Sequence, residues 1–258
     1  MQVDNRMLSL AHRMADSAGD ILRRAFRADM AVENKEDASP VTAADREVET
    51  MLRKLIEAVY PDHGIIGEEF GNIRTSSPFQ WVIDPIDGTH AFIAGQPTFT
   101  TLIALAKDGV PILGVIDQPI SKERWLGVMG EATTRNGAPA HTSRCASLAK
   151  AAIATTSTNY FTPEQATSFE RLKRACGHVT LGGDAYLYAG LASGKMDIVV
   201  DAGLKPYDFC ALKPVVEGAG GIITDWNGKP LNVASDGRVI AAANEELHKA
   251  ALHLLQRD

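Results

Sequence analysis

Five short apolar runs between residues 65 and 128 constrain the fold more than any other feature of this sequence. They predict β-strands at Ile65–Ile66, Trp81–Ile83, Thr101–Ala106, Val110–Ile116 and Arg124–Val128. Turn signals stand between two of these strands, at residues 107–109 (Lys-Asp-Gly), and further on at residues 136–137 (Asn-Gly). The pattern therefore predicts a largely antiparallel sheet with hairpins.

Two amphipathic helices are expected before this sheet. Apolar residues recur at helical spacing from Met7 to Phe26, with charged residues between them. A second series runs from Val48 to Val59, and Thr42 with Asp45 three residues later has the form of an N-terminal capping box. Residues 29–44, which are rich in charged and small side chains, are predicted to form a mobile loop.

After about residue 145 the pattern changes to alternating strands and helices. Strands are expected at Ala151–Thr155, Ile198–Val200, Gly221–Thr224 and Val239–Ala242. Helices are expected near Pro163–Ala175, Ala185–Ala192, Asp208–Glu217 and Glu245–Leu255. The sequence thus predicts an α+β half at residues 1–145 and an α/β half at residues 146–258, joined without a linker into one compact unit.

Composition disfavours several classes of partner. A chain of 258 residues with 45% hydrophobic and 22% charged residues is typical of a globular protein. The net charge of −6 and the lack of a long Lys/Arg block make a nucleic acid an unexpected partner. Cys145, Cys176 and Cys210 lack CxxC spacing and predict reduced thiols. Charged residues interrupt every apolar stretch near the N-terminus, so we expect a cytoplasmic protein without a membrane span.

The most informative stretch is the apolar strand at Trp81–Ile83 followed by Asp84-Pro85-Ile86-Asp87-Gly88-Thr89. Proline cannot donate to a sheet, so we expect it to end the strand and leave both carboxylates at the strand's mouth. Hard divalent cations prefer such oxygens, and two of them about 3.5 to 4 Å apart can clamp a phosphoryl group. Gly88 permits close approach of the backbone, and Thr89 begins a predicted short helix whose N-terminus attracts phosphate. The stretch predicts a metal site beside an anion site.

The same stretch could be an ordinary junction between a strand and a turn, since Asp, Pro and Gly are common turn residues. Two further acidic segments, at Glu68-Glu69 after one predicted strand and at Tyr207-Asp208 after another, favour the metal site. A strand sends neighbouring side chains to opposite faces, so we expect Glu68 rather than Glu69 to bind directly.

The segments Gly67-Glu68-Glu69, Asp84–Thr89 and Tyr207-Asp208 resemble, in order and spacing, the inositol monophosphatase family of Mg²⁺-dependent, lithium-sensitive phosphatases. The resemblance covers nearly the whole chain. It implies a mixed α+β / α/β fold, the layered αβαβα sandwich of the inositol monophosphatase and fructose-1,6-bisphosphatase type. It also implies a homodimer with two or three Mg²⁺ ions per active site, for which Mn²⁺ could substitute. The family commonly has Trp-Asp where this chain has Tyr207-Asp208, an exchange that keeps an aromatic side chain for packing.

The resemblance assigns roles to individual residues. Metal ligands are implied at Glu68, Asp84, Asp87 and Asp208, together with the Ile86 carbonyl. Catalytic roles are implied for Glu68, Thr89 and Asp45, of which the last two would orient and deprotonate the attacking water. Substrate contacts are implied at Gly88, Thr89, Asp184, Ala185, Asp201 and, in the mobile loop, Lys35.

The segments around these residues look most like the histidinol-phosphatase branch of the family; they are Phe92–Gly95, Gly114–Pro119, Glu123–Gly127, Gly182–Asp184 and Ala202–Asp208. Histidinol phosphate carries an ammonium and an imidazole, which gives carboxylates at Asp184 and Asp201 a physical purpose. The branch often has Arg where this chain has His90. Two alternatives remain: hydrolysis of an inositol, sugar or nucleotide phosphate, and a non-catalytic phosphate-binding protein on the same fold.

Overall fold

The computed structural model of the chain describes residues 3–28, 32–34 and 40–256. Its α-helices are α1 Asn5–Ala25, α2 Ala43–Val59, α3 Thr89–Ile93, α4 Pro163–Ala175, α5 Asp184–Ala192, α6 Pro206–Phe209, α7 Leu212–Gly218 and α8 Glu245–Leu255. Its first ten strands are β1 Val32–Asn34, β2 Pro40–Thr42, β3 Gly64–Gly67, β4 Asn72–Ile73, β5 Phe79–Asp87, β6 Thr100–Lys107, β7 Val110–Gln118, β8 Glu123–Val128, β9 Thr134–Arg135 and β10 Ala138–Pro139. The remaining strands are β11 Ala152–Thr155, β12 His178–Leu181, β13 Ile198–Asp201, β14 Ile222–Thr224 and β15 Val239–Ala242.

The first large sheet has eight strands in the order β10-β9-β8-β7-β6-β5-β3-β4. Its neighbouring strands are antiparallel except β3 and β5, so the predicted antiparallel sheet is confirmed. The parallel pairing places Gly67 opposite Ile83. The residue that follows Gly67 is Glu68, and the residue that follows Ile83 is Asp84. This register therefore brings two carboxylates to one edge of the sheet.

The second large sheet has five strands in the order β12-β11-β13-β15-β14. Strands β12, β11 and β13 are parallel, whereas β15 and β14 are antiparallel to their neighbours. The parallel pairing of Ala154 with Val199 brings the carboxyl ends of β11 and β13 to the same edge. Asp201 ends β13 at this edge, beside Thr155 and Thr156.

Five layers of structure pack together through three hydrophobic cores, of which the middle one includes the central layer of helices. In one core, α1 and α2 pack against one face of the eight-stranded sheet. In the middle core, Val82 and Ile116 of that sheet share a cluster with Leu191 of α5, Val216 of α7 and Val199 of the second sheet. The third core lies between the second sheet and helices α4 and α8. The order of layers is αβαβα, as the family resemblance implies.

Two predicted boundaries are wrong at prolines. Strand β5 was expected to end at Pro85, but it continues to Asp87 with an irregular pairing to β6 between Asp84 and Asp87. The Thr101 hydroxyl donates to the Pro85 carbonyl across this irregularity at 2.8 Å. The helix expected at residues 208–217 is instead the two helices α6 and α7, because Pro214 has no N–H to donate to the carbonyl four residues earlier.

The α6–α7 segment lies with its backbone directly on the eight-stranded sheet. A methyl group on Gly114 of β7 would lie 2.1 Å from the Ala211 carbonyl oxygen, and one on Gly127 of β8 would lie 2.4 Å from the Pro214 carbonyl. Real side chains do not approach so closely. The two glycines therefore set the distance between the sheet and the start of α7, which follows the helix that carries Asp208.

The segment predicted as a mobile loop contains a small antiparallel sheet in its described part. Strands β1 and β2 pair there, with Glu33 opposite Val41. Lys35, which was expected in this loop, lies outside the described residues.

Candidate active site

Three acidic side chains from two parts of the chain meet at one point. Carboxylate oxygens of Asp84, Asp87 and Asp208 all lie within 4.8 Å of one another, and this is the one such group of metal-type ligands among the described residues. Asp84 and Asp87 stand at the end of β5, and Asp208 stands in the first turn of α6. The bend of β5 past Pro85 turns both of its carboxylates to the same side.

Glu68 faces the same cavity from the loop that follows β3. Its side chain shares a hydrogen bond with Asp84. The cavity has a volume of about 230 Å³ and reaches from these four acids to Asp184 and Asp201.

Burial and then neighbouring negative charge raise the pKa of three of these acids. Burial, followed by the charges of Glu68, Asp87 and Asp208, raises the pKa of Asp84 well above its usual range. Burial raises the pKa of Asp87 in the same way, with the charges of Asp184 and Asp208 adding to it. Burial also raises the pKa of Asp208 to about 7, against the hydrogen bond from the Lys205 amide, which lowers it. Negative charge held together out of water is the environment that fits hard divalent cations such as Mg²⁺.

One side of the cavity is formed by the turn from β5 into α3. Gly88 caps α3 with a φ of +86°, a conformation that favours glycine. The Thr89 hydroxyl donates to the Ile86 carbonyl at 3.1 Å, and the Ile86 amide donates to Asp84 Oδ1 at 3.0 Å. These bonds fix the loop on which the predicted carbonyl ligand and the predicted phosphate-binding amides lie.

The part of the cavity wall beside this turn is formed by the start of α5. The Ala185 amide donates to Asp87 Oδ2 at 2.6 Å. Asp184 has a φ of +46°, rare for a residue with a side chain, and its Oδ2 lies 2.7 Å from the position that a methyl group on Gly88 would occupy. Burial, with the charge of Asp201, raises the pKa of Asp184 to about 6, while His90 lowers it.

Comparison with known proteins agrees with this geometry. The model of the inositol monophosphatase family matches residues 4–258. The chain belongs to the inositol monophosphatase family. Members of this family are phosphatases that generally depend on metal ions, and the acidic cluster fits that dependence.

Individual relatives include both a histidinol-phosphatase and an inositol monophosphatase. The chain is 44% identical to the chloroplastic bifunctional phosphatase IMPL2 of Arabidopsis thaliana, over 98% of this chain and 75% of the relative. It is 36% identical to a histidinol-phosphatase of Chlorobaculum parvum, over 91% of each. The structure of an inositol monophosphatase from Zymomonas mobilis matches with a TM-score of 0.89 and 48% identity, over 96% of this chain and 97% of the other.

Asp45 stands in the first turn of α2 in this inositol monophosphatase family member. Its side chain is fully buried, and Oδ2 accepts hydrogen bonds from the Thr42 amide at 2.8 Å and the Thr42 hydroxyl at 2.7 Å. The predicted capping box at the start of α2 is thus confirmed. Asp45 does not line the cavity, so the structure does not bring it to the surface where the other predicted residues meet.

Asp201 lines the cavity, but its carboxylate is occupied by the protein itself. Oδ1 accepts from the Thr155 hydroxyl at 3.0 Å and from the Thr156 amide at 2.8 Å. Oδ2 accepts from the Tyr188 hydroxyl at 2.8 Å. Burial raises the pKa of Asp201 in spite of these bonds. No pattern in the sequence pointed to Tyr188, which packs in the middle core like an apolar helix residue.

Two further findings concern the cysteines and the helices. All three cysteines are free. No helix in the described ranges has both the length and the apolar character that crossing a membrane requires.

Proposed function

We propose that this protein is a Mg²⁺-dependent phosphomonoesterase that hydrolyses L-histidinol phosphate to L-histidinol and phosphate. The observation that carries the proposal is that six carboxylates face one cavity in two groups. The group suited to metal ions is Glu68, Asp84, Asp87 and Asp208. The other group, Asp184 and Asp201, stands on the α5 side, where a cationic leaving group would benefit from negative charge.

Different residues of the chain would bind the metal ions and orient the phosphate during hydrolysis. Mg²⁺, when bound, would neutralise negative charge on the phosphate and lower the pKa of the attacking water. Glu68, Asp84, Asp87, Asp208 and the Ile86 carbonyl would hold the ions. The Gly88 and Thr89 amides at the start of α3 would orient the phosphate.

Two residues are implied in removing the proton from the attacking water, and only one of them lines the cavity. Thr89 lines the cavity, and its hydroxyl would orient the attacking water. The family resemblance implies Asp45 as the acceptor of the proton; Asp45 does not line the cavity, so the proton would reach it only through an intermediate group. Glu68 would contribute by fixing the position of the water relative to the phosphorus atom.

The choice of alcohol depends on Asp184 more than on Asp201. Both oxygens of Asp201 already accept hydrogen bonds from the protein, so its contribution to a bound cation would be its charge rather than a direct bond. Asp184 has no such set of three donors and stands next to Gly88, where the substrate phosphate would bind. An ammonium group on the leaving alcohol would bind at Asp184.

The 36% identity to a histidinol-phosphatase supports this substrate. A second candidate is inositol 1-phosphate, favoured by the 48% identity to the inositol monophosphatase of Zymomonas mobilis. A non-catalytic phosphate-binding role is disfavoured because all four acids of the metal group are present. We also propose, from the family resemblance, a cytoplasmic homodimer that is inhibited by lithium.

The test is phosphate release by the purified protein from L-histidinol phosphate, inositol 1-phosphate and a nucleotide 3',5'-bisphosphate, with Mg²⁺ and with a chelator. We expect kcat/KM for histidinol phosphate to exceed that for the other two by at least about tenfold, which corresponds to about 1.4 kcal/mol of transition-state binding. Faster turnover of inositol 1-phosphate would overturn the substrate. Equal turnover with the chelator would overturn the metal-dependent reaction.

A further inference from the structure

The backbone that follows Glu68 is held by a buried carboxylate from helix α2. The Glu49 side chain is fully buried. Its Oε2 accepts a hydrogen bond from the Glu69 amide at 2.7 Å, and its Oε1 accepts one from the Phe70 amide at 3.1 Å. Two successive amides after Glu68 are therefore bound by one side chain on another element.

Arg53, one turn further along α2, completes this arrangement. Its Nε donates to Glu49 Oε1 at 2.8 Å, and its Nη2 lies 2.7 Å from the same oxygen. The same Nη2 donates to the Gly71 carbonyl, and the guanidinium lies 6.0 Å from the centre of the Phe70 ring. The Arg53 side chain is 12% exposed and that of Glu49 is not exposed, so the ion pair is removed from water and held at fixed geometry.

The pair also contacts the backbone that precedes Glu68. A methyl group on Gly67 would lie 2.2 Å from Glu49 Oε1 and 2.6 Å from Arg53 Nη2. The chain on both sides of Glu68 is thus packed against the pair, by close contact at Gly67 and by hydrogen bonds at residues 69–71.

A purely structural role would not require this placement. Burying two charges costs free energy, and well-packed apolar residues often replace such a pair without loss of stability. The bonds of this pair converge on the residues flanking one acid of the proposed metal group. Outer partners that orient a metal ligand commonly change metal affinity when they are removed.

We propose that the Glu49–Arg53 pair positions Glu68 and thereby sets the affinity of the cavity for its divalent cation. This inference rests on the proposed metal-dependent function. Glu49 and Arg53 are positioning residues, because they act through the backbone of residues 67–71 and do not line the cavity.

The test compares Glu49→Gln and Arg53→Met with Glu57→Gln, a control on the same helix. Glu57 pairs with Arg74 at 3.1 Å on the surface, with 48% of its side chain exposed, and it makes no bond to residues 67–71. Binding of Mn²⁺ and Mg²⁺ to metal-free protein is measured by titration calorimetry, and circular dichroism gives the folded fraction. We expect Kd to rise about 10- to 100-fold in Glu49→Gln and Arg53→Met and to stay unchanged in Glu57→Gln.

A second readout separates positioning from loss of fold. Phosphate release is followed against Mg²⁺ concentration, and the concentration for half-activation should rise in Arg53→Met while kcat at saturating Mg²⁺ largely recovers. Arg53→Lys keeps the charge beside Glu49 but loses the planar fork, so its Kd should lie between those of the wild type and Arg53→Met. This variant carries the test if Glu49→Gln does not fold.

Wild-type Kd in folded Arg53→Met and Arg53→Lys would overturn the inference. Failure of the proposed function gives a different result: the wild-type protein would then bind no cation, or Asp84→Asn would bind it as tightly as the wild type. That result would remove the metal site itself and this inference with it.

Discussion

The Ala185 amide donates a 2.6 Å hydrogen bond to Asp87 Oδ2, which joins the first turn of α5 to the end of β5. Asp184 is the preceding residue. Two adjacent residues therefore supply the contact to the proposed metal group, from the Ala185 amide, and the carboxylate proposed to bind the leaving alcohol, from Asp184. The two sides of the cavity are therefore mechanically coupled. A change that moves α5 would affect the binding of the metal ions as well as that of the alcohol.

Asp84→Asn should abolish turnover without unfolding the protein. Asp84 has three acidic neighbours, and the substitution removes a charge that would bind a cation. Loss of an outer partner of a ligand costs about 10- to 100-fold, so loss of a ligand should cost at least about 100-fold in kcat/KM. Steady-state kinetics and circular dichroism test this, with the exposed Asp236→Asn as the matched control. Full activity of folded Asp84→Asn would contradict the metal-dependent account.

Asp208→Asn should stabilise the metal-free protein at alkaline pH. The folded-state pKa of Asp208 is raised to about 7 from an ordinary value of 3.8. Above pH 7 the wild type holds this charge unfavourably; as pH falls through 7 the folded form binds a proton before the unfolded chain does, so the wild type gains stability. The advantage of Asp208→Asn should be largest at pH 8, with an upper bound of about 4 kcal/mol, and should shrink toward pH 5.

Urea unfolding of both proteins in chelator, at pH 8, 7, 6 and 5, measures this difference. A free energy of unfolding that is equal for the two proteins at pH 8 would show that the cluster is not under electrostatic strain.

Tyr188→Phe should destabilise the protein through Asp201. The Tyr188 hydroxyl is the donor to Asp201 Oδ2, and removing it leaves a buried carboxylate oxygen without that bond. Loss of one partner of a buried polar group costs about 1 to 3 kcal/mol. Tyr160→Phe is the matched control, since Tyr160 is 57% exposed and its change should stay within about 0.5 kcal/mol. Denaturant unfolding of both variants decides, and equal losses would argue against a special role for the Tyr188 bond.

Gly88→Ala should lower activity more than Gly130→Ala, although both glycines have a positive φ. Both substitutions carry a strain of about 1 to 2 kcal/mol. Gly130 has nothing within 4 Å of the added methyl group, whereas at Gly88 the methyl would meet Asp184 Oδ2 at 2.7 Å. We expect kcat/KM to fall at least about tenfold only in Gly88→Ala, since displacement of Asp184 disturbs substrate binding. Similar kinetics for the two variants would contradict the assignment of Asp184.

Local patterns were sufficient to predict much of the fold. Helices α4 and α8 have the predicted bounds, and α2 begins at the predicted capping box, because apolar periodicity and caps act over a few residues. The antiparallel sheet was predicted from short apolar runs and turn residues for the same reason.

Tertiary contacts decided the parts that were not predicted. Strand β12, His178–Leu181, alternates polar and apolar residues over only four positions, a run too short to predict a strand, and it is a strand because it pairs with β11. The continuation of β5 past Pro85 depends on β6, whose Thr101 hydroxyl supplies a hydrogen bond there. Neither effect is visible in the segment that it shapes.

In the candidate site, too, some residues could be predicted from local sequence patterns and others depend on tertiary contacts. Its acids follow apolar strands and could be found by position alone. The Glu49–Arg53 pair could not, because Glu and Arg four residues apart on a helix are typical of an exposed face. Only packing against the loop after β3 makes Glu49 a buried residue. The partners of Asp201 come from β11 and α5, which no local pattern joins.

The close approach of α6–α7 to Gly114 and Gly127 has a genetic consequence. A single-base change that converts either glycine to alanine would push the start of α7, and with it the α6–α7 segment, away from the sheet, although neither glycine lines the cavity. Such alleles would score as inactive while every acid of the cavity is intact. The absence of a side chain at Gly114 and Gly127 is therefore a requirement for activity, alongside the carboxylates of the cavity.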